Sequence, residues 1–281
     1  MSRVLSEAQV AQYRRDGYVS PVRIMSEDDA GAIRERLEAF EATQGGRLRG
    51  TQRTKAGLLL PFIYGLVRNE TLLDAVEDLI GPDILMYQNG AWIKEPERGT
   101  YVSWHQDITY FGMDPPELVT AWVALSPASM ESGCMQVLPG SHTQGMLPVD
   151  YTEVNPANML ASGQRVACDI DESKAVPMPL RPGEMSMHHV CAIHSSLPNH
   201  SAHRRIGFSV ACMAPGVRQT TAVRATAMLM RGEDRYGHYV LDERPPVAPD
   251  DPATIERHER AVALYRAKAE ECGNANAWRL G

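Results

Sequence analysis

Paired cysteine motifs are missing from this chain. It has five cysteines, Cys134, Cys168, Cys191, Cys212 and Cys272, scattered and without a C-x-x-C spacing. That excludes a zinc framework and a disulfide framework, and it fits a reducing compartment. Basic charge is scarce as well. Against 35 Asp and Glu there are 28 Lys and Arg, a net charge of −7, which is the wrong sign for a nucleic-acid surface. No apolar run approaches the roughly 20 residues needed to span a bilayer. The start, Met1-Ser2-Arg3-Val4-Leu5-Ser6, enters a polar helical pattern directly, so no signal peptide is expected. Internal repeats and low-complexity tracts are absent too. These absences predict a cytoplasmic protein with no nucleic-acid and no membrane partner, and they leave a homo-oligomer open.

What is present suits one large β-rich core. The chain has 281 residues, 43% hydrophobic and 22% charged, which forces no split of residues 1–281 into two domains. The part before residue 82 reads as helical. Ser6 and Gln9 suggest a capping box for a helix over 6–15, and Gly17-Tyr18-Val19 a short strand. A second helix starts at Ser26, carries Ile33, Leu37 and Phe40 on one side and ends at Gly45-Gly46; a third runs from Asn69 to Ile80. Between them, residues 46–56 form a basic, polar stretch with Arg47, Arg49, Arg53 and Lys55, expected as a loop.

From Ile84 to about Pro215 short segments rich in Val, Ile, Met, Trp and Tyr alternate with Gly, Pro, Ser and Asn turns. Ile84–Lys94, Val119–Leu125, Met135–Leu138, Met185–His194 and Ile206–Met213 are the clearest, and together they predict a sandwich or barrel core over 84–215. A stretch from Thr143 to Leu180, acidic and proline-containing, is expected as a long loop or lid. A closing helix spans 251–272, with Asp251 as its cap and Pro252 at its first position.

The candidate chemistry begins at His105-Gln106-Asp107. In a strand, residues two apart share a face, so His105 and Asp107 can grip one metal ion side by side. A second imidazole would complete a facial triad with open positions, a set that suits iron(II). Alone, this three-residue pattern is weak and equally describes an exposed ion pair. The second histidine must come from a distant strand, with candidates at His188, His189, His194, His200 and His203. Pro198-Asn199 is a turn signal. A hairpin centred between Asn199 and His200 would set His194 opposite Arg205, with Ser196 on the face of His194. A metal-binding histidine beside an arginine and a serine is what a chelating dicarboxylate needs, since arginine anchors a carboxylate through two parallel bonds. His188 and His189 fit better as packing neighbours of the site than as ligands, and His142 is not assigned to the metal.

These residues resemble the phytanoyl-CoA dioxygenase family of non-haem iron oxygenases over roughly residues 6–245. The resemblance rests on Ser103-Trp104-His105-Gln106-Asp107, Ala121-Trp122-Val123-Ala124-Leu125, the run from Gly133 to His142 ending in Pro139-Gly140-Ser141-His142, and His194-Ser195-Ser196-Leu197-Pro198-Asn199 followed by Arg204-Arg205-Ile206-Gly207. It implies a mainly β fold with flanking helices, the double-stranded β-helix or jelly roll of cupin-like proteins. It also implies Fe(II) held by His105, Asp107 and His194, with 2-oxoglutarate and O2 as co-substrates. Arg205 matches the anchor for the far carboxylate of 2-oxoglutarate; Ser196, Trp122 and Gln88 match positions lining it.

Relatives that halogenate have a small residue in place of Asp107, so its presence favours hydroxylation, or a related desaturation or cyclisation. Tyr87, Trp92, Tyr110, Phe111 and Met113 are candidates for an apolar substrate wall, each as readily explained by core packing. The expected partner is a small molecule, a natural-product or amino-acid-like intermediate, with an acyl-CoA as the alternative. Two other readings stay open: a cupin-like metal enzyme that does not use 2-oxoglutarate, and a ligand-binding member without turnover.

Overall fold

A computed structural model of the protein describes residues 4–152, 155–160, 163–242 and 248–273. Local signals set its helices. Ser6 caps α1 (Glu7–Asp16) in a reciprocal box: the Gln9 N–H donates to Ser6 Oγ and the Ser6 N–H donates to Gln9 Oε1. Ser26 caps α2 (Glu27–Thr43) by accepting from the Asp29 N–H. α3 (Pro61–Val67) was not expected from the sequence, because its seven residues are too few to show a helical period. α4 (Glu70–Ile80) follows it, and α5 (Pro252–Glu271) closes the chain with Asp251 accepting from the Thr254 N–H. None of the helices among the described residues is long and apolar enough to cross a membrane.

The principal strands are β1 (Tyr18–Arg23), β2 (Ile84–Lys94), β3 (Val102–His105), β4 (Leu118–Ala124), β5 (Met135–Val137), β6 (Val176–Met178), β7 (Glu184–His189), β8 (His194–Ser196), β9 (Arg205–Met213), β10 (Thr226–Arg231) and β11 (Val240–Leu241). Among the described residues they form a seven-stranded sheet in the order β1-β7-β4-β9-β2-β10-β11 and a four-stranded sheet in the order β3-β8-β5-β6. Neighbours are antiparallel except β10 and β11. The architecture is the expected jelly roll with flanking helices.

Two boundaries differ from the sequence expectation. The larger sheet is not confined to 84–215, because β1 supplies one edge and β10 and β11 the other. Met185–His194, read as one strand, is two: β7 stops at His189 and β8 begins at His194 in the other sheet.

The period of two sorts the larger sheet into faces. Val119, Ala121 and Val123 of β4, Met185 and Met187 of β7, and Ile206, Phe208 and Val210 of β9 pack with Leu37, Ile63, Leu66, Leu72 and Val76 of the helices into the main apolar core. The alternate residues Thr120, Trp122, His188, Arg205, Ser209 and Ala211 face a cavity on the other side. In β2 the register slips between Met86 and Gln88 against β9. This bulge lets Leu85 and Tyr87 join one inner cluster while Gln88, Gly90 and Trp92 line the cavity.

The stretch from 143 to 180 reaches the site. Residues 153, 154, 161 and 162 within it lie outside the described residues. Asn158 bridges to Tyr101 and donates to Ser103 Oγ at 2.9 Å, Met159 and Leu160 line the cavity, and the stretch ends as β6 in the smaller sheet.

Gly207 is a point of close approach. A Cβ there would overlap the Trp122 ring, which lies across β9 to reach Arg205. Trp122 is buried, so the ring has little room to yield. Gly207→Ala is expected to cost about 1–3 kcal/mol by overpacking, read as a lower Tm; an unchanged Tm would show that the ring moves aside freely.

Candidate metal centre

β3 ends at His105. Gln106 stays extended (φ −120°, ψ 136°), so the period of two carries past the strand end to Asp107, the first residue of a 3-10 turn, Asp107–Tyr110. Gln106 points the other way and pins this corner. Its Nε2 donates to the carbonyls of Gly145 and Cys191 at 2.8 and 2.7 Å, and its Oε1 accepts from the Leu147 N–H at 2.8 Å. On β8, His194 pairs in register with His105, and the two rings lie 4.1 Å apart. His105 Nε2 is 3.6 Å and His194 Nε2 3.8 Å from Asp107 Oδ1. One donor atom from each of the three residues falls within 4.8 Å of the others.

The hairpin expected at Pro198-Asn199 does not form. β8 belongs to the smaller sheet and β9 to the larger, where Arg205 pairs with Lys94 rather than with His194. Asn199 holds the crossing instead, donating to the carbonyls of Lys94 and His203 at 3.0 and 2.8 Å. His194 and Arg205 still meet, since both line the cavity between the sheets.

The donors are oriented for a cation. His194 Nδ1 lies 2.9 Å from the Ala192 carbonyl, and His105 Nδ1 lies 2.9 and 3.1 Å from the carbonyls of Ser103 and His194. A carbonyl can only accept, so each Nδ1 carries the proton and each Nε2 presents a lone pair inward. Asp107 Oδ2 accepts from Thr120 Oγ1 at 2.8 Å and lies 3.3 Å from His188 Nε2, which leaves Oδ1 toward the two imidazoles. Burial alone would raise the Asp107 carboxyl, but the imidazoles of His105, His188 and His194 gathered around it outweigh burial and hold the group well below the usual carboxylate range. Burial, reinforced by His105 and His188, keeps His194 well below its ordinary value and hence neutral. Two imidazole nitrogens and one ionised carboxylate fit a divalent metal such as iron(II).

The other end of the cavity is cationic. Arg205 is 1% exposed, donates through Nη1 to the Gly133 carbonyl at 2.8 Å, and lies 5.0 Å from the Trp122 ring centre. Its Nε has no hydrogen-bond partner, and among the described residues no carboxylate pairs with it. Burial pushes it down to about 10. Lys94, its cross-strand partner, is also buried; its Nζ donates to Ser196 Oγ at 2.7 Å, to the Ser196 carbonyl at 3.1 Å and to the Leu197 carbonyl. Burial first and Arg205 second push Lys94 down to about 6. A buried guanidinium beside a buried amine that can take up a proton, neither paired with a carboxylate among the described residues, makes a receptor for one. Gln88 Oε1, on the same wall, is buried without a partner.

The cavity measures about 620 Å³. Of the residues expected in the site, His105, Asp107, His194, Arg205, Ser196, Trp122, Gln88, Trp92, Tyr110 and Phe111 line it. Tyr87 and Met113 do not: they sit behind the wall in an apolar cluster, Tyr87 between Phe111 and Tyr265 with ring centres 5.0 and 5.7 Å away. His142 packs against Gly17, away from the donors, with Nε2 3.2 Å from the Arg14 carbonyl. Sequence reasoning missed Thr120 and Lys94. Lys94 had a signal: it shares the face of Gln88 and Trp92 by the period of two and ends an otherwise nearly uncharged strand.

A family model for phytanoyl-CoA dioxygenase (PhyH) matches residues 13–207. The chain belongs to that family. Among curated members, a probable alpha-ketoglutarate-dependent hypophosphite dioxygenase from Stutzerimonas stutzeri is 31% identical over 181 residues, 61% of this chain and 62% of that protein. An L-proline trans-4-hydroxylase from Streptomyces griseoviridis is 27% identical over 158 residues, 52% of this chain and 59% of that one. The chain thus spans about three-fifths of the length of these relatives. Among solved structures, a non-heme monooxygenase, ThoJ, in its apo form superposes with a TM-score of 0.84 at 28% identity, covering 95% of this chain and 99% of that one.

The family's co-substrate is a dicarboxylate, and Lys94 should report its arrival. A lysine folded at about 6 instead of the ordinary 10.5 leaves the unfolded chain holding more protons between those values. This group's contribution to stability therefore rises with pH across that window and is lost on acidification toward 6. A carboxylate beside Arg205 offsets the second of the two causes, the Arg205 charge, and raises Lys94. Binding of 2-oxoglutarate near pH 7.5 is thus expected to take up a proton, seen by calorimetry in two buffers of different ionisation enthalpy, and Lys94→Met should remove the uptake.

Proposed function

We propose that the protein is an iron(II)- and 2-oxoglutarate-dependent oxygenase that hydroxylates a small organic molecule. One observation carries the reading: a two-histidine, one-carboxylate donor set and a buried arginine that has no carboxylate partner among the described residues line the same cavity. His105, Asp107 and His194 hold the metal. Arg205 takes the far carboxylate of 2-oxoglutarate, with the Trp122 face beneath its guanidinium, and Ser196, anchored by Lys94, lines that end with Gln88. Iron(II), when bound, supplies O2 activation coupled to the oxidative decarboxylation of 2-oxoglutarate to succinate and CO2.

The chain's own residues position and shield. Thr120 and His188 fix the Asp107 carboxylate through Oδ2. Trp92, Phe111 and Leu160 keep the floor of the cavity apolar and exclude water from it. Asp107 occupies the position that a halide would need, which favours hydroxylation, desaturation or cyclisation over halogenation. Hypophosphite and L-proline, the molecules in the relatives' names, support a small substrate here too, of the natural-product or amino-acid-like kind. Five unpaired cysteines, three of them buried, support a reducing, cytoplasmic setting.

The test is anaerobic titration of the iron(II) protein with 2-oxoglutarate, followed by O2 and a succinate assay. A visible charge-transfer band and O2-dependent succinate are expected. His194→Ala and Asp107→Ala should each reduce succinate formation by at least about 100-fold. No band would support a metal enzyme that does not use 2-oxoglutarate. Equal turnover in His194→Ala would overturn the ligand assignment. A substrate library read by product mass then separates a gain of one oxygen from a loss of two hydrogens.

A further inference from the structure

A chain with net charge −7 gathers, among the described residues, five arginines around one cavity, Arg47, Arg49, Arg53, Arg205 and Arg266, against the single carboxylate of Asp107. The metal neutralises Asp107, and the co-substrate accounts for Arg205. Arg47 is paired with Glu95 at 3.0 Å. Arg49 and Arg53 are in a different position. The two acids whose charges act on Arg53 are already engaged: Glu41 with Arg204 at 2.9 Å and with the Leu48 N–H at 3.1 Å, Glu95 with Arg47 at 3.0 Å and with Arg204 at 3.1 Å. Among the described residues neither Arg49 nor Arg53 forms an ion pair, and the one hydrogen bond found for either guanidinium runs from Arg53 Nε to the Leu48 carbonyl at 3.2 Å.

The segment that carries them is built into the fold. Thr54 bridges to Gly90 of β2, and the Lys55 N–H donates to the Asn89 carbonyl at 2.7 Å. His258 of α5 contacts the Thr54 carbonyl through Nε2 at 2.9 Å. Lys55, expected on a polar loop, is 2% exposed, its Nζ bonded to the carbonyls of Tyr87 and Thr226 at 3.0 Å each and to Asp242 at 3.1 Å. The Leu48 carbonyl aims the Arg53 guanidinium, whose remaining donors stay unspent. Arg53 is half-buried on the cavity wall and Arg49 is exposed at its open end. The same cavity, which the metal donors also line, has Trp92, Phe111, Val102, Met159 and Leu160 among its apolar walls.

We propose that the substrate is an amphipathic anion whose oxyanion head, a carboxylate or a phosphate, is held by Arg53 and Arg49, while its apolar part lies along Trp92, Phe111 and Leu160 toward the metal. This rests on the oxygenase reading above and names its substrate class. Planar guanidinium forks suit such a head. The field of several like charges at a low-dielectric cleft concentrates anions there.

The experiment uses the holoprotein, with iron(II) and saturating 2-oxoglutarate under anaerobic conditions, so that the Arg205 end is filled. The charge-transfer band is recorded first; its absence refutes the oxygenase reading, whereas the titrations that follow address the substrate class alone. Calorimetry then compares 4-phenylbutanoate and 2-phenylethyl phosphate with neutral 4-phenylbutanamide. At least one anion is expected to bind about tenfold tighter than the amide or better, with the advantage shrinking as salt is added. Which anion wins tells carboxylate from phosphate. In Arg53→Gln and Arg49→Gln the advantage should fall severalfold; Arg49 is exposed, so its variant keeps the test open if Arg53→Gln fails to fold. No binding by any probe, no preference for the anions, or a preference intact in both variants overturns the proposal.

Discussion

Everything in the site depends on the antiparallel register that sets His194 against His105. Those two residues come from strands 89 positions apart in sequence, yet the pairing of β8 with β3 brings their rings to 4.1 Å. Asp107 joins them only because Gln106 remains extended and is tied on both sides of its amide. A slip of one residue in that pairing would turn His194 to the other face of its sheet and dissolve the donor set. The carbonyls of Ser103 and Ala192 then choose the tautomers. Backbone geometry therefore defines the cation site before any ion arrives.

The second constraint is charge without a partner. Arg205 is buried beside Lys94, and among the described residues no carboxylate pairs with either, which is expensive in the folded chain alone. The same cost makes the cavity selective, because an anionic ligand recovers what folding gave up. Trp122 tempers it with the face of its ring, and Gly207 makes room for that ring. Farther out, Arg49 and Arg53 repeat the pattern in a wetter setting, where the two acids whose charges act on Arg53 are committed to Arg47 and Arg204.

Much of this was legible in the residues. Capping at Ser6 and Ser26, the strands over Ile84–Lys94 and the stretch near Leu118–Ala124, and the shared face of His105 and Asp107 followed from local chemistry and short spacings, whereas His194 was singled out among five histidines by the family resemblance, and the fold brings it to the other two. That His194 and Arg205 share a site was expected for an incorrect reason. A turn at Pro198-Asn199 suggested a hairpin, but a jelly roll uses such corners to pass the chain from one sheet to the other. Aromatic residues were legible only as apolar: Trp92 and Phe111 line the cavity while Tyr87 and Met113 lie behind it. A bulge in β2 makes the difference for Tyr87, and no composition rule places a bulge.

The sequence by itself determined the helix caps, the main strands and the shared face of His105 and Asp107, because caps and the two-residue period act over a few neighbouring positions. Only the tertiary structure decided which sheet each strand entered, that Arg205 and Lys94 are buried together with no acid paired to either among the described residues, and that Lys55 lies inside while Arg53 faces the cavity. Those outcomes depend on contacts between distant segments, and burial sets the energy of a charge far more strongly than its place in the chain.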